Sequence, residues 1–175
     1  MSSYHAPSSL FIQGSGGCNK QRNMRKKRLK KISTIRHRLL RMWSVLVRER
    51  ADNKCEFCGK CNVKIDAHHF LSKEIKDCPL KFEILNGVAV CPFCHKFGIP
   101  SFHRDPVRTI TWLQKERPER YNYVLENADI RIDMENRKVL EEIEKRLKGG
   151  LSLDLQKLQR IEKQYPRRHL SKGKV

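Results

Sequence analysis

Residues 55–58 read CEFC, residues 66–70 read DAHHF, residues 85–95 read LNGVAVCPFCH and residues 101–103 read SFH. These pieces contain two CxxC pairs separated by 32 residues, which is enough for a whole hairpin between them. A CxxC turn presents two thiolates to one Zn²⁺ ion, and two such turns complete a tetrahedral site. The spacing therefore predicts a structural zinc site made by four residues: Cys55, Cys58, Cys91 and Cys94.

The chain has seven cysteines, and their chemistry depends on the compartment. The N-terminal sequence has no basic segment followed by a long apolar one, and no apolar run is long enough to span a membrane. We therefore expect a cytoplasmic protein without a membrane partner. Cysteines in that compartment favour metal binding over disulfides. Cys18, Cys61 and Cys78 are then expected to be free thiols, with Cys61 as an alternative ligand in place of Cys58.

Positive charge is concentrated at the two ends of the chain. The net charge is +19, from 38 Lys and Arg against 19 Asp and Glu. Residues 1–54 hold 14 basic and 2 acidic residues, residues 151–175 hold 7 and 2, and the middle of the chain holds 17 and 15. An excess of this size favours a polyanionic partner, most simply nucleic acid.

The order of the predicted elements is typical of a small α+β domain with basic extensions. We expect a disordered basic arm at residues 1–33 and the main domain at residues 34–128. The domain begins with an amphipathic helix at Thr34. Two short strands follow, at residues 63–70 and 87–90, and after them a helix opens near the proline of the second CxxC pair.

Helices are predicted to complete the chain. The first is capped by Asp105, runs to about Glu116 and is expected to bury Val107. A second helix follows at once and ends the domain. The C-terminal helices occupy residues 129–165, with Asp133 as the cap of the longer one. A basic tail covers residues 166–175.

The adjacent histidines connect this chain to a known family. His68 and His69 point to opposite sides of an extended segment, so they suit two different roles. The sequence resembles the HNH endonuclease family, in particular compact phage-type members with a zinc knuckle. The resemblance rests on CEFCGK, DAHHF, ILNGVAVCPFCH and SFHRDP, followed by WL and ERY, and it covers about half of the chain. It implies a ββα-metal (His-Me finger) fold, in which a hairpin and a helix hold one divalent ion over the scissile phosphate.

The resemblance also implies a role for each matching residue. His69 corresponds to the general base that activates water. Asn86 corresponds to the middle Asn, which mostly braces the loop carrying the base, and we place it with His69 in the catalytic site. His68, His95 and His103 correspond to the ligands of a catalytic divalent ion, which is Mg²⁺, Mn²⁺, Ni²⁺ or Zn²⁺.

Two features depart from the family pattern. Eight positions separate His95 from His103, which is more than one helical turn. The segment between them must therefore bulge outward if both are to reach one ion. In addition, Asp66 precedes the histidine pair, and it is left open as an orienting residue or a substitute ligand.

Basic residues near the histidines and in the N-terminal segment are assigned to phosphate contacts. An ordinary solvated charge is the alternative for each of them. The assigned residues are Arg25, Lys26, Lys27, Arg28, Lys30, Lys31, Arg36, Arg38, Arg41, Lys96 and Arg104.

The function implied by the resemblance is a metal-dependent endonuclease that acts on nucleic acid, with double-stranded DNA as the expected form. The expected setting is the cytoplasm of a bacterial or phage-infected cell. A non-catalytic zinc-ribbon nucleic-acid-binding protein is the alternative. It would explain the cysteines and the charge, but it gives no role to His69, His95 and His103.

Overall fold

The computed structural model describes residues 17–166, with side chains from residue 32 onward. This part of the chain is mainly helical and contains one small sheet, which agrees with the predicted α+β class. Two 3₁₀ turns precede the second strand, and a π-helical turn follows it. The elements in order are α1 (Gly17–Arg50), β1 (Asp66–His69), the 3₁₀ turns Pro79–Phe82 and Ile84–Asn86, β2 (Gly87–Val90), the π-helical turn Phe93–Phe97, α2 (Pro106–Glu116), α3 (Pro118–Glu126), α4 (Arg137–Lys148) and α5 (Leu155–Gln164).

The two strands form an antiparallel hairpin. Asp66 lies opposite Val90, and His69 lies opposite Gly87. Every residue of β2 is buried, whereas β1 is half-buried along its length. The residues of β1 are therefore only partly covered by the rest of the fold.

Helix α1 covers the hairpin. Leu39, Trp43 and Val47 are buried at four-residue intervals, which places them on one face of the helix. That face packs so closely on the start of β2 that a Cβ atom at Gly87 would overlap with the Val47 side chain and touch the Trp43 ring. Glycine at this position lets α1 reach the hairpin.

The C-terminal helices complete the same core. The apolar face of α4 is fully buried in the core that includes the α1 face. Glu83, just before β2, is also fully buried, and its carboxylate accepts hydrogen bonds from the backbone N–H groups of Leu85 at 3.0 Å and Leu153 at 2.7 Å. The loop before α5 is thus held directly to the segment that leads into the hairpin.

Several boundaries differ from the sequence-based prediction. Helix α1 begins at Gly17 rather than Thr34, so the arm expected to be disordered is helical from residue 17 on. Its first 16 residues, and residues 167–175 of the tail, lie outside the described residues. The cap of α4 is Asn136, whose side chain accepts from the N–H of Lys138, and not Asp133. Val107 is 74% exposed, because α2 turns that position to the surface.

The segment after β2 also differs from a regular helix. It is a five-residue π-helical turn that begins after Pro92 and ends at Gly98. None of the helices in the described part of the chain is both long and apolar enough to cross a membrane.

Candidate metal centres and candidate active site

Four cysteines converge where the turn after α1 meets the end of β2. Cys55 and Cys58 lie on a tight turn closed by a hydrogen bond of 2.8 Å from the Gly59 N–H to the Cys55 carbonyl oxygen. Gly59 has φ +72°, a conformation that glycine adopts without strain. Cys91 directly follows β2, and Cys94 lies in the π-helical turn.

The positions of the sulfur atoms fit one tetrahedral ion. The ligand atoms of all four cysteines lie within 4.8 Å of one another. The Sγ atoms of Cys58 and Cys91 are 3.9 Å apart, and two thiolates bound to a tetrahedral zinc at about 2.3 Å would be roughly 3.8 Å apart. This cluster can therefore hold a metal ion such as zinc.

Burial shapes the chemistry of these thiols. It raises the pKa of Cys55 and of Cys94 above the ordinary value, since a buried thiolate lacks solvation. A bound cation supplies the positive charge that would keep such thiols deprotonated. Cys61 is exposed and Cys78 is buried; neither forms a disulfide and neither belongs to the cluster, and their role as free thiols stays a prediction. The Cys18 side chain lies outside the described part.

The cysteine turn is also anchored by an ion-pair network. The Glu56 carboxylate accepts the Ala89 N–H of β2 at 2.7 Å and pairs with Arg50 of α1 at 3.1 Å. Arg120 of α3 completes the network with a 2.7 Å contact to Glu56. Three elements therefore fix the turn that carries the first two cysteines.

A second cluster lies next to the first and consists of His68, His95 and His103. Their ligand nitrogens lie within 4.8 Å of one another. The ring centroids are 5.0 Å apart for His68 and His95, 5.1 Å for His68 and His103, and 4.9 Å for His95 and His103. The structure thus brings together the three histidines that the sequence assigned to one ion.

Asp66 orients one of these histidines. Its Oδ2 lies 3.2 Å from Nδ1 of His95, while Nε2 of His95 lies 3.2 Å from Nε2 of His103. If Nδ1 of His95 donates to the carboxylate, its Nε2 carries a lone pair directed towards His103. Two nitrogens bound to one tetrahedral ion at 2.0–2.1 Å would be roughly 3.3 Å apart. The geometry thus places Asp66 beside a candidate ligand rather than among the ligands, as is common for metal-binding histidines.

The protonation states suit metal binding. Burial is the main cause that lowers the pKa of His68 to about 3, and positive charge on His95 or His103 would oppose its protonation further. Burial also lowers the pKa of His95, although the contact with Asp66 acts in the opposite direction. Both residues are therefore neutral at pH 7, which is the form that donates a lone pair to a metal.

The segment between His95 and His103 bulges outward, as the spacing predicted. The Phe102 N–H donates to the Cys94 carbonyl at 2.9 Å, and the His103 N–H donates to the His95 carbonyl at 3.2 Å. These two bonds bring the end of the loop back beside the π-helical turn. Cys94 and His95 are consecutive, so one short turn contributes a residue to each cluster.

His69 lies on the other side of β1, in a separate environment. Its ring stacks on Trp43 with centroids 3.7 Å apart and an interplanar angle of 13°. Its Nε2 lies 2.9 Å from the Lys81 carbonyl oxygen, which can only accept, so the proton of the neutral ring resides on Nε2. Nδ1 therefore carries the lone pair. Burial lowers the pKa of His69 to about 4, despite the opposing effect of the Lys81 carbonyl.

Asn86 is a positioning residue and does not contact solvent. It is fully buried; its Oδ1 accepts from the Leu71 N–H at 2.6 Å, and its Nδ2 donates to the carbonyls of Leu71 at 3.0 Å and Leu80 at 2.9 Å. It therefore clamps the loop between the strands, next to the carbonyl that holds His69. These hydrogen bonds agree with the bracing role expected of Asn86, and its complete burial keeps the amide from direct contact with a substrate.

The residues assigned to phosphate contacts fall into three groups. Arg36 pairs with Glu135 and Arg38 pairs with Glu144. These two arginines therefore join α1 to the C-terminal region, but their side chains remain 38% and 49% exposed, so their assignment to phosphate contacts stays a prediction. Exposed side chains that a phosphate can approach belong to Arg41, Lys96 and Arg104. The remaining side chains lie outside the described part: Arg25, Lys26, Lys27, Arg28, Lys30 and Lys31.

The sequence analysis did not include one residue of the site and left the role of another open. Trp43 was not assigned to the site, but its indole packs on His69, and its Nε1 donates to the Glu83 carbonyl at 2.8 Å. The role of Asp66 was left open, although strand alternation places positions 66 and 68 on the same face and so offered a signal. No comparable signal in the sequence connects Trp43 with the histidine pair.

Searches for similar proteins provide no relative for this chain. No protein-family model, curated protein or solved structure matches it.

Proposed function

We propose that this protein is a metal-dependent endonuclease of the HNH type that hydrolyses phosphodiester bonds in DNA. The observation that carries the proposal is that the two neighbouring histidines of β1 have different environments. His68 joins His95 and His103 in a cluster of metal-ligand geometry, while His69 is fixed separately with a free Nδ1 lone pair. A structural zinc site alone needs neither arrangement.

Two kinds of metal site belong to the proposal. The four-cysteine cluster holds a structural zinc ion, and the three histidines hold a catalytic divalent ion in a ββα-metal core. Such an ion neutralises charge that develops on the phosphate and on the departing oxygen. On the protein side, Asp66 keeps the His95 ring in the orientation that directs Nε2 inward.

His69 serves as the general base. With the proton on Nε2 donated to the Lys81 carbonyl, Nδ1 accepts a proton from the attacking water. The new positive charge on the imidazole is then stabilised by the same carbonyl oxygen, which keeps the ring in place during the transfer. The stacked Trp43 ring limits rotation of the imidazole. Asn86 acts through the loop that carries Lys81.

Substrate binding is assigned to basic side chains around the histidines and along α1. Lys96 and Arg104 each directly follow a candidate ligand in the sequence, His95 and His103 respectively. Both are exposed, so a phosphate next to the cleaved bond can reach them. Together with the basic residues in the N-terminal half of α1 they favour a nucleic-acid partner. Double-stranded DNA, in the cytoplasm of a bacterial or phage-infected cell, is the form that we propose.

The alternative is a non-catalytic zinc-ribbon protein that binds nucleic acid. The four-cysteine geometry and the charge are compatible with it. The histidine cluster, the Asp66 contact and the held His69 ring would then have no chemical purpose.

The test uses the pure, zinc-loaded protein and supercoiled plasmid, incubated with Mg²⁺, Mn²⁺, Ni²⁺ or Zn²⁺ and with excess chelator. We expect conversion to nicked or linear DNA only when a divalent ion is available. Protein that binds the plasmid without cutting it under any of these conditions would exclude the nuclease and favour the zinc-ribbon alternative.

A further inference from the structure

Three large apolar side chains are exposed beside the histidine cluster. Phe93 is 58% exposed, Phe97 is 65% exposed and Ile99 is 78% exposed. They lie in the π-helical turn and the bulge that follows it, and we call them the apolar tip. His95 lies between Phe93 and Phe97 in sequence, so the tip and the candidate metal site share one short segment.

The tip is held in place by its surroundings. The Gly98 N–H donates to the Phe93 carbonyl at 2.7 Å, and the Phe93 ring packs so closely on Gly98 that a Cβ atom there would overlap with it. The backbone bonds of His103 and Phe102 fix the far end of the bulge. Hydrogen bonds therefore hold both ends of the bulge against the π-helical turn, so the exposed side chains of the apolar tip have a defined position.

Positive charge surrounds the tip. Lys60 Nζ lies 5.9 Å from the centroid of the Phe93 ring. Arg104 donates from Nη1 to the Phe97 carbonyl at 3.1 Å, and Lys96 is exposed next to it. An apolar surface bordered by cations is complementary to a nucleic acid, because the bases can contact the apolar side chains while the phosphates contact the cations. A protein partner with an apolar face would not need this ring of positive charge.

We propose that the apolar tip contacts unstacked bases next to the cleaved phosphate, so that the enzyme prefers DNA that is locally unpaired or distorted over regular duplex. This inference rests on the proposed nuclease function, because it places the tip on the substrate of the same site. Exposed aromatic and branched side chains of DNA-binding proteins either stack on unpaired bases or insert between base steps of a duplex. Insertion into a duplex requires unstacking, whereas a bulge or a single strand has already lost that stacking. The tip should therefore discriminate between the two substrates.

The experiment measures DNA binding in a full-length, zinc-loaded His69→Ala background, so that DNA is bound without being cut. Two probes are compared: a short duplex and the same duplex with an unpaired bulge, each carrying a fluorescent adenine analogue whose emission falls when it stacks on another ring. Relative to this background, Phe97→Ala should weaken binding to the bulged probe by roughly 5- to 150-fold. It should affect the duplex less, and the fall in emission on binding to the bulged probe should disappear.

Three further variants make the test specific. Phe97→Trp keeps a stacking surface and should retain both the affinity and the fall in emission. Ile99→Ser, at the most exposed position of the tip, should weaken binding to the bulged probe in the same direction as Phe97→Ala. Leu125→Ala removes an apolar side chain that is 52% exposed on α3 and should leave binding unchanged.

The proposal is overturned if Phe97→Ala and Ile99→Ser bind the bulged probe as tightly as the background protein and lower its emission equally. It is also overturned if these variants change only the self-association of the protein, which would assign the tip to protein docking. Plasmid cleavage by protein with an intact His69 is measured separately. Failure of the nuclease function and failure of the base-binding role are therefore distinct results.

Discussion

Two adjacent histidines on β1 have opposite environments, although they have the same chemistry in the unfolded chain. His68 faces the other imidazoles and is expected to act as a ligand. His69 faces α1, where Trp43 covers one face of its ring and the Lys81 carbonyl fixes its tautomer. Strand alternation predicted this separation. It could not predict what each histidine would meet, because Trp43 and Lys81 come from distant parts of the chain.

The environment of His69 leads to a prediction about stability and pH. Its pKa falls from about 6.5 in the unfolded chain to about 4 in the folded one, so the unfolded state binds more protons between these values. Stability should therefore fall as pH is lowered through this window, by about 2 kcal/mol between pH 7.5 and pH 5 from this residue. Below pH 4 this contribution no longer changes.

Urea unfolding of zinc-loaded protein at pH 7.5 and pH 5 measures the effect, with His69→Gln as the comparison. The variant should lose less stability than the wild type between the two pH values, although His68 contributes with the same sign in both proteins. Equal losses in the two proteins would show that His69 is protonated as easily in the folded chain as in the unfolded one.

At the scale of elements, the hairpin, the cysteine turn and the π-helical turn depend on one another. The CxxC spacing was enough to predict the cysteine cluster; the second strand was predicted with its observed bounds, whereas the first was predicted at residues 63–70 and is shorter, Asp66–His69. The π-helical turn was predicted only as the start of a helix, because its form follows from Cys94 and His95 each facing a different cluster. The outward bulge that follows the turn was predictable. Eight positions separate His95 from His103, which is more than one helical turn, so the segment between them must loop out if both histidines are to reach one ion.

The cysteine cluster should determine whether the hairpin folds. Zinc binding in comparable small domains contributes about 10–16 kcal/mol, which exceeds the net stability of most domains of this size, roughly 5–15 kcal/mol. We therefore expect Cys91→Ser to unfold the hairpin region and to lose the tightly bound zinc. Metal analysis of the wild type should find about one such zinc per chain, and circular dichroism reports the loss of structure.

Cys61→Ser is the matched control, since it removes an exposed thiol from the same turn region without touching the cluster. It should keep both zinc and fold. A folded, zinc-free Cys91→Ser protein would refute the structural role of the cluster, and loss of zinc in Cys61→Ser would make Cys61 a ligand.

Helix α1 and the hairpin meet at Gly87, where no side chain fits. Gly87→Ala should destabilise the protein by about 1–3 kcal/mol, because the added methyl group must displace Val47 and Trp43. Urea unfolding checks this, with Gly149→Ala as a control whose added Cβ would make only ordinary contacts. A Gly87→Ala protein as stable as the control would mean that α1 can shift on the hairpin at little cost.

At the scale of the whole molecule, some basic side chains form ion pairs within the fold, whereas others are exposed to solvent. Arg36 and Arg38 join α1 to the C-terminal region through Glu135 and Glu144, and the sequence analysis did not predict these ion pairs. The omission has a physical cause. Helical periodicity shows which residues share a face, but the acidic partners lie about a hundred positions away, where no local pattern reveals them.

The basic arm remains the main candidate for salt-dependent DNA binding. It carries eight basic residues between positions 20 and 31. On duplex DNA, each phosphate that a shortened protein no longer neutralises should lower the slope of log affinity against log salt by roughly 0.9. We therefore expect removal of residues 1–31 to weaken binding and flatten that slope, as measured by titrations at several salt concentrations.

Removal of residues 167–175 serves as the comparison, since it deletes a shorter basic segment at the other end of the chain. Zinc content should stay the same in both truncated proteins. If deletion of residues 1–31 leaves the slope unaltered, the arm does not contact the phosphate backbone and the remaining basic residues must supply the affinity.

The most direct measurement of the proposed chemistry is the single-turnover rate of plasmid cleavage by zinc-loaded His69→Ala, compared with the wild type in Mg²⁺ or Mn²⁺. The variant loses the Nδ1 lone pair but no candidate ligand of either cluster. Its rate should therefore fall by roughly 10²–10⁴-fold, with zinc content and DNA affinity unchanged. Equal rates for the variant and the wild type would contradict the assignment of His69 as the general base.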